Sequence, residues 1–245
     1  MFIFLRLLLA HFIGDYPLQF NKVYSLKFKG FAGVIPHVLL VTISFIILCW
    51  PYLNIGLLWI FILFIAVIHL IQDWLKIKCS TVTIDNYLWF YLLDQVLHIA
   101  ALSLIFLTPI KNVSAPKDIN IITSLYNNNI LVIYLIALIV ATYNGLYLIT
   151  NIKKTFMNIM DMYPPFEKWY GIAERAVILS LFLNIKMLVL LPLVLLLRPA
   201  VFYFVSKKYN INKRFVSCWE TAASWLIALI TGVCFYIILH KFYLN

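Results

Sequence analysis

Two observations predict an all-α fold, a polytopic membrane helix bundle with seven to eight crossing helices. Hydrophobic residues make up 64% of the 245 residues and charged residues only 11%, with a mean hydropathy of +0.99. A soluble domain averages about 45–50% apolar and about 25% charged residues, so this chain has too few charges to cover a water-facing surface. The apolar residues also fall into runs of about 20, the length of a helix that crosses a bilayer. The chain has room for about eight such crossings in a single membrane domain, residues 1–245.

Eight apolar runs, separated by prolines and polar stretches, give the predicted helices. In chain order they are 1–19, 32–53, 55–77, 86–109, 129–150, 167–184, 187–206 and 215–240. The first is short because it ends near Pro17. It lacks the basic segment and cleavage site of a signal peptide, so it is interpreted as a retained helix. The stretch 167–206 is too long for one straight span and is divided at a tight turn that begins with Asn184.

Basic residues predict the orientation of these helices. Four alternate loops carry 12 Lys and Arg residues, and the loops on the opposite side carry 4. The richer loops are 20–31, 76–86, 151–168 and 206–214. The positive-inside rule places them in the cytoplasm and both termini outside. The net charge of +10 is therefore explained by orientation, and no basic patch or motif indicates nucleic-acid binding. Lysines mixed with aromatic residues also make 151–168 a candidate interfacial amphipathic helix.

Three histidine–aspartate pairs, each four residues apart, stand out in the first half of the chain. They are His11 with Asp15, His69 with Asp73, and Asp94 with His98. Residues four apart lie on one face of a helix, so each pair can project into one site. His37 is a fourth histidine, near the start of the second predicted helix. The predicted topology places all four histidines in the cytoplasmic leaflet.

These polar groups require partners inside a membrane. An aspartate near the centre of a spanning helix costs about 2.5–3.5 kcal/mol. Histidine is the commonest metal ligand, and aspartate serves as ligand, orienting group or base. We therefore expect a divalent transition metal, Zn²⁺ first and Mn²⁺ or Fe²⁺ as alternatives. The expected metal ligands are His11, His37, His69 and His98, and the expected bases are Asp15, Asp73 and Asp94. A purely structural network and an ion or proton pathway remain open.

Other polar residues are candidates for binding a substrate. Buried arginine suits a phosphate or carboxylate group, so Arg175 and Arg198 are expected to position a polar head group, together with Gln19. Glu174 joins the candidate catalytic residues. The alternative for Glu174 and Arg198 is an ion pair between two helices. Lys76 is interpreted as snorkelling to the surface and Gln95 as a hydrogen bond between helices.

Four segments resemble a bacterial integral-membrane family catalogued as domain of unknown function 3307. They are LAHFIGDYPLQ at 9–19, HLIQDWLK at 69–76, DQVLH at 94–98 and GIAER at 171–175. The resemblance implies location in the bacterial cytoplasmic membrane and no established reaction. It also implies that the family's signature positions include Gln19 and the residues of the three histidine–aspartate pairs.

Three functions follow from this pattern. The first is an intramembrane metal-dependent hydrolase, with a metal-activated water and an aspartate base, acting from the cytoplasmic leaflet. Its substrate is expected to be a membrane lipid or another amphiphile, such as an amide, ester or phosphate. The second is a metal-ion or proton transporter or channel. The third is a non-enzymatic assembly or partner protein, for which the sequence indicates no particular protein partner.

Overall fold

The computed structural model describes residues 1–82, 86–117, 119–159, 163–209 and 217–244, and none of these lies in a β-strand. The all-α bundle predicted from composition is confirmed. The helices are α1 (Phe2–Asp15), α2 (Asn21–Lys27), α3 (Phe31–Leu48), α4 (Gly56–Val82), α5 (Tyr87–Ser103), α6 (Ile121–Asn127), α7 (Asn129–Ile139), α8 (Gly145–Met157), α9 (Pro165–Leu181), α10 (Leu191–Tyr209) and α11 (Cys218–Leu239).

Each of the eight predicted helices has a counterpart in the structure. The fifth is longer than predicted, because α7 continues through a π-helical turn, Val140–Asn144, into α8. Two short helices, α2 and α6, occupy stretches that the sequence predicts as loops. The predicted interfacial segment 151–168 begins within α8, and residues 160–162 lie outside the described part of the chain.

Six helical segments of the described chain are long and apolar enough to cross a membrane. They are Phe31–Leu48, Gly56–Cys79, Tyr87–Leu107, Asn129–Met157, Ile185–Ser206 and Cys218–Phe242. The protein is therefore a membrane protein. Helices α1 and α9, with 14 and 17 residues, are shorter than the roughly 20 residues of a typical span and are not among these six segments, so eight crossings stay a prediction.

The chain divides into two compact units, unit 1 (Met1–Ile136) and unit 2 (Ala137–Asn245). The single membrane domain expected from the sequence stays a prediction. Apolar side chains of α1, α3, α4 and α5 form the core of unit 1. On α3, Val41 and Phe45 are buried while Leu39 and Ile43 are exposed. Both faces of α3 are thus apolar, as in a helix that has protein on one side and lipid on the other.

A left-handed glycine positions α2 against α3. Gly30 precedes α3 with φ of 91°, a conformation that side chains other than glycine rarely adopt. The chain can therefore reverse there, and α2 packs on α3. This arrangement buries the side chain of Lys27, the last residue of α2, inside unit 1.

Helix α1 approaches α3 closely at Gly14. A Cβ atom on Gly14 would lie 2.7 Å from the Cα atom of Val41, a distance that real Cβ atoms do not tolerate. Gly14 follows His11 by three residues and immediately precedes Asp15. The close approach therefore brings both side chains to the face of α3 that carries His37.

Gly14→Ala should lower the free energy of unfolding by about 1–3 kcal/mol, because the added methyl group meets the backbone of Val41 as well as its branched side chain. Gly56→Ala is the matched control, because nothing lies within 4 Å of the Cβ position of Gly56. Thermal unfolding in detergent, followed by circular dichroism, compares the two variants. Equal melting temperatures would contradict the close packing of α1 on α3.

Candidate metal centre

Helices α1, α3, α4 and α5 bring four histidines and three aspartates of unit 1 together. All seven are buried, none with more than 8% of its surface exposed. The ring of His69 lies 4.3 Å from that of His98, 5.2 Å from that of His37 and 5.4 Å from that of His11, measured between ring centroids. We call this group the His/Asp cluster; its members are His11, Asp15, His37, His69, Asp73, Asp94 and His98. The structure thus assembles the residues singled out by spacing, and their role as ligands or bases stays a prediction.

Four atoms of the His/Asp cluster have the separations of metal ligands. The Nε2 atom of His37 lies 2.9 Å from Oδ1 of Asp15 and 3.2 Å from Nε2 of His69. Nε2 of His69 lies 3.4 Å from Oδ1 of Asp15. Oδ2 of Asp73 lies 3.4 Å from Nε2 of His37 and 3.8 Å from that of His69. Four tetrahedral ligands about 2.0–2.1 Å from a zinc ion are about 3.3–3.4 Å apart, and these five separations lie close to that value.

His98 presents an unprotonated nitrogen inside unit 1. Its Nδ1 atom lies 2.7 Å from the carbonyl oxygen of Asp94, one turn earlier on α5, so the proton is on Nδ1 and is donated to that carbonyl. The Nε2 atom then carries a lone pair, and among the described residues it has no hydrogen-bond partner. This is the usual arrangement of a metal-binding histidine, whose second nitrogen is held by a carbonyl or carboxylate.

Two lysines pair with carboxylates of the His/Asp cluster. Nζ of Lys27, on α2, lies 2.7 Å from Oδ2 of Asp73, and Nζ of Lys76 lies 2.6 Å from Oδ2 of Asp94. The interpretation of Lys76 as a snorkelling residue is therefore wrong, because its ammonium group reaches across to α5. The sequence interpretation missed Lys27, which it counted only as a loop charge. The available signal was the need of three buried carboxylates for cationic partners.

The charges of the cluster do not balance in the absence of a ligand. With neutral histidines, three aspartates face two lysines, which leaves one negative charge in a buried site. A buried charge of this kind costs several kcal/mol unless it is neutralised. Either a cation or a proton on one histidine would supply the missing positive charge.

Polar residues at the end of α1 connect the cluster to α5. The hydroxyl of Tyr16 donates to Oε1 of Gln95 at 2.7 Å, and Nε2 of Gln95 donates to Oδ2 of Asp94 at 3.1 Å. The predicted helix–helix hydrogen bond of Gln95 is thus present. Gln19 lies in the turn after α1, where its backbone N–H donates to the carbonyl of Tyr16 at 3.2 Å. Its side chain forms no hydrogen bond with any residue that the structure describes, and its substrate-binding role stays a prediction.

The other predicted site residues lie in unit 2. Glu174 of α9 and Arg198 of α10 form a two-pronged ion pair, with Arg198 Nε donating to Oε1 of Glu174 at 3.0 Å and Nη2 to Oε2. The ion pair that the sequence left open is therefore what the structure shows. Nε1 of Trp225 also donates to Oε1 of Glu174 at 3.1 Å. The catalytic role of Glu174 and the substrate role of Arg198 stay predictions.

Arg175 belongs to the same network of unit 2. Its guanidinium donates to Oγ of Ser224 at 3.0 Å and to the carbonyl oxygen of Thr142, in the π turn, at 2.9 Å. The network borders a small pocket that Tyr163 and Glu220 also line. Across this pocket, Tyr163 donates to Oε2 of Glu220 at 3.1 Å, and burial together with the nearby Glu220 charge raises the pKa of Tyr163 well above its ordinary value. The substrate-binding role of Arg175 also stays a prediction.

Comparison with known proteins identifies a family for this chain. No curated protein and no solved structure matches the chain. The family model described as "Protein of unknown function (DUF3307)" matches residues 3–126. The matched stretch covers half of the chain and contains all seven residues of the His/Asp cluster. The chain therefore belongs to the DUF3307 family of proteins of unknown function.

Proposed function

We propose that unit 1 is an intramembrane metal-dependent hydrolase that acts on a lipid or another amphiphilic substrate. The observation that carries this proposal is the set of ligand-atom separations among His37, His69, Asp15 and Asp73, which run from 2.9 to 3.8 Å. Zn²⁺ suits nitrogen and carboxylate ligands in this geometry best, and Mn²⁺ or Fe²⁺ are the alternatives.

We assign three of these residues as ligands and the fourth as the base. His37, His69 and Oδ1 of Asp15 would hold the ion, which leaves one position open for water, as in catalytic zinc sites. When bound, the ion would lower the pKa of that water towards about 7 and polarise the substrate. Asp73 would be the base, because its Oδ2 lies 3.4 Å from Nε2 of His37 and 3.8 Å from Nε2 of His69. Nζ of Lys27 lies 2.7 Å from Oδ2 of Asp73 and would orient that carboxylate, which would accept a proton from the water.

The predicted topology gives this site an entry from the cytoplasmic leaflet of a bacterial inner membrane, with both termini outside. Helix α2, which carries Lys22 and Lys27 and lies next to Lys29, occupies a stretch that the positive-inside rule places in the cytoplasm. Basic residues at that level also attract anionic lipid head groups. An amphiphile would thus reach the His/Asp cluster laterally, head group first.

Elemental analysis of detergent-purified protein tests the proposal. We expect at least one equivalent of a transition metal per chain, lost in the double variant His37→Gln, His69→Gln. His240→Gln is the matched control, because His240 is the fifth histidine and lies outside the cluster, in unit 2. A screen of lipid amides, esters and phosphates then compares the same three proteins, each with and without a chelator. Absence of metal from the wild type, even after addition of Zn²⁺ or Mn²⁺, would overturn the hydrolase.

A proton pathway is the second candidate, and one observation favours it. The 3.2 Å separation between the Nε2 atoms of His37 and His69 is also that of a hydrogen bond in which one ring donates to the other. A proton on one of these rings would neutralise the cluster as a metal ion would. Proton flux in liposomes, retained in metal-free protein and lost in His37→Gln, would establish this function.

A further inference from the structure

The His/Asp cluster contains more ligand atoms than one metal ion uses. Five buried atoms of the cluster have no hydrogen-bond partner among the described residues. Two of them, Nδ1 of His37 and Nδ1 of His69, belong to rings already assigned to the first ion, and three others remain. They are Nε2 of His11, Nε2 of His98 and Oδ1 of Asp94. Each is an acceptor or ligand atom enclosed in protein, and an unsatisfied buried group of this kind costs about 1–3 kcal/mol.

The residues that carry these three atoms are neighbours within the cluster. The rings of His11 and His98 are stacked, with centroids 5.1 Å apart and planes 22° apart. Ligand atoms of Asp94, His98 and Asp73 lie within 4.8 Å of one another, and the same holds for His11, Asp15 and His69. His37 belongs to neither of these two groups.

Two carboxylates face both sides of the cluster. Oδ1 of Asp15 lies 2.9 Å from Nε2 of His37, while its Oδ2 lies 3.7 Å from Nε2 of His11. Asp73 can be grouped with His37 and His69 on one side, and with Asp94 and His98 on the other. Carboxylates that share their oxygens between two sets of ligands are suited to bridge a pair of metal ions.

We propose that the cluster binds a second divalent cation through His11, His98 and Asp94, bridged to the first through Asp15, and that the substrate is a phosphate ester. This inference rests on the proposed function and assigns its metal count and substrate class. Pairs of metal ions of this kind stabilise the attacking and leaving oxygens in displacement at phosphorus.

The substrate class follows from the charges. One divalent ion turns the net charge of the cluster from −1 to +1, and a second turns it to +3, with both lysine pairs intact. Such a charge inside a membrane protein needs an anion beside it. A phosphate ester supplies one or two negative charges at the metal ions, whereas a neutral amide or carboxylic ester supplies none. Phosphate and the second metal ion should therefore strengthen each other's binding.

Equilibrium titration of chelator-stripped full chain with Mn²⁺ tests the metal count. We expect two equivalents in the wild type and in His240→Gln, and one equivalent in the double variant His11→Gln, His98→Gln. Electron paramagnetic resonance gives a second readout, with exchange-coupled ions in the wild type and isolated ions in the double variant. Inorganic phosphate should tighten the second equivalent by about 5–150-fold, the usual range for coupled sites, and acetate at equal ionic strength should not.

The outcomes separate this inference from the proposed function. One equivalent in the wild type, or two in the His11→Gln, His98→Gln variant, would overturn the second site and leave the hydrolase standing. No bound Mn²⁺ or Zn²⁺ in any of the proteins would overturn both. Equal effects of phosphate and acetate would overturn the phosphate-ester class. Circular dichroism of each variant shows whether lost binding reflects lost folding, and His98→Asn then replaces a variant that fails to fold.

Discussion

Lys27→Met should lower the free energy of unfolding of the metal-free protein by about 3–5 kcal/mol, the usual cost of removing one partner of a buried ion pair. Lys27 is buried, and Nζ lies 2.7 Å from Oδ2 of Asp73. Its loss leaves that carboxylate uncompensated and takes the charge of the His/Asp cluster from −1 to −2. The same change should strengthen binding of a divalent cation, because the cation then enters a more negative site.

Thermal unfolding with and without Zn²⁺ measures both effects in one experiment. Metal at about 100 times its dissociation constant should restore about 2.7 kcal/mol, and the restored stability should be larger in Lys27→Met than in the wild type at equal metal. Lys29→Met is the matched control, since Lys29 is exposed two residues away. A destabilised Lys27→Met protein that metal does not rescue would identify the cluster as a structural network of ion pairs.

Glu174→Gln should also lower the free energy of unfolding by about 3–5 kcal/mol, because it breaks a buried ion pair in unit 2. Glu174 is 5% exposed and accepts hydrogen bonds from Arg198, Ser224 and Trp225. The amide of glutamine keeps the shape but removes the charge, so the guanidinium of Arg198 remains buried without its carboxylate. A buried charge without its partner lowers the stability of the folded state, because the protein interior solvates it less well than water does.

The double variant Glu174→Gln, Arg198→Met controls this prediction. Removing both charges should recover most of the lost stability, since buried pairs replaced by apolar groups of similar volume are often neutral. Urea or thermal unfolding of the two single variants and the double variant forms a double-mutant cycle, and the coupling energy should exceed about 1 kcal/mol. Additive effects would contradict a direct ion pair. Unchanged metal binding by unit 1 in all three variants would show that the network is independent of the His/Asp cluster.

The helices that carry the His/Asp cluster could be predicted from the sequence, because the spacing of residues along one helix does not depend on the tertiary structure. Spacing of four residues places His69 and Asp73 on one face of α4 whatever the tertiary structure, and a buried polar face requires other polar faces next to it. The apolar runs likewise predict the spanning helices from length alone. The predicted second to fifth helices begin within one residue of the observed helices and differ from them mainly in where they end.

The partners within the cluster were less predictable, because they depend on how far each helix is rotated about its axis. The sequence treats the four histidines as equivalent, whereas the structure sets His37 and His69 close to Oδ1 of Asp15 and leaves Nε2 of His11 and His98 without a hydrogen bond among described residues. Lys27 reaches Asp73 only because α2 turns back at Gly30. The sequence alone does not indicate that the chain reverses at Gly30, because residues 20–31 are predicted to be a loop.

The π turn at Val140–Asn144 determines which way α8 faces. A π-helical turn contains about one residue more than an α-helical turn, and each residue of an α-helix advances the rotation by about 100°. Deleting one residue there would turn α8 by about 100° about its axis. Lys153, whose Nζ lies 3.0 Å from Oε1 of Glu220, would then leave the side of the helix that meets α11. The extra residue thus determines which side of α8 meets α11. The carbonyl of Thr142, which accepts a hydrogen bond from Arg175, lies in the same π turn.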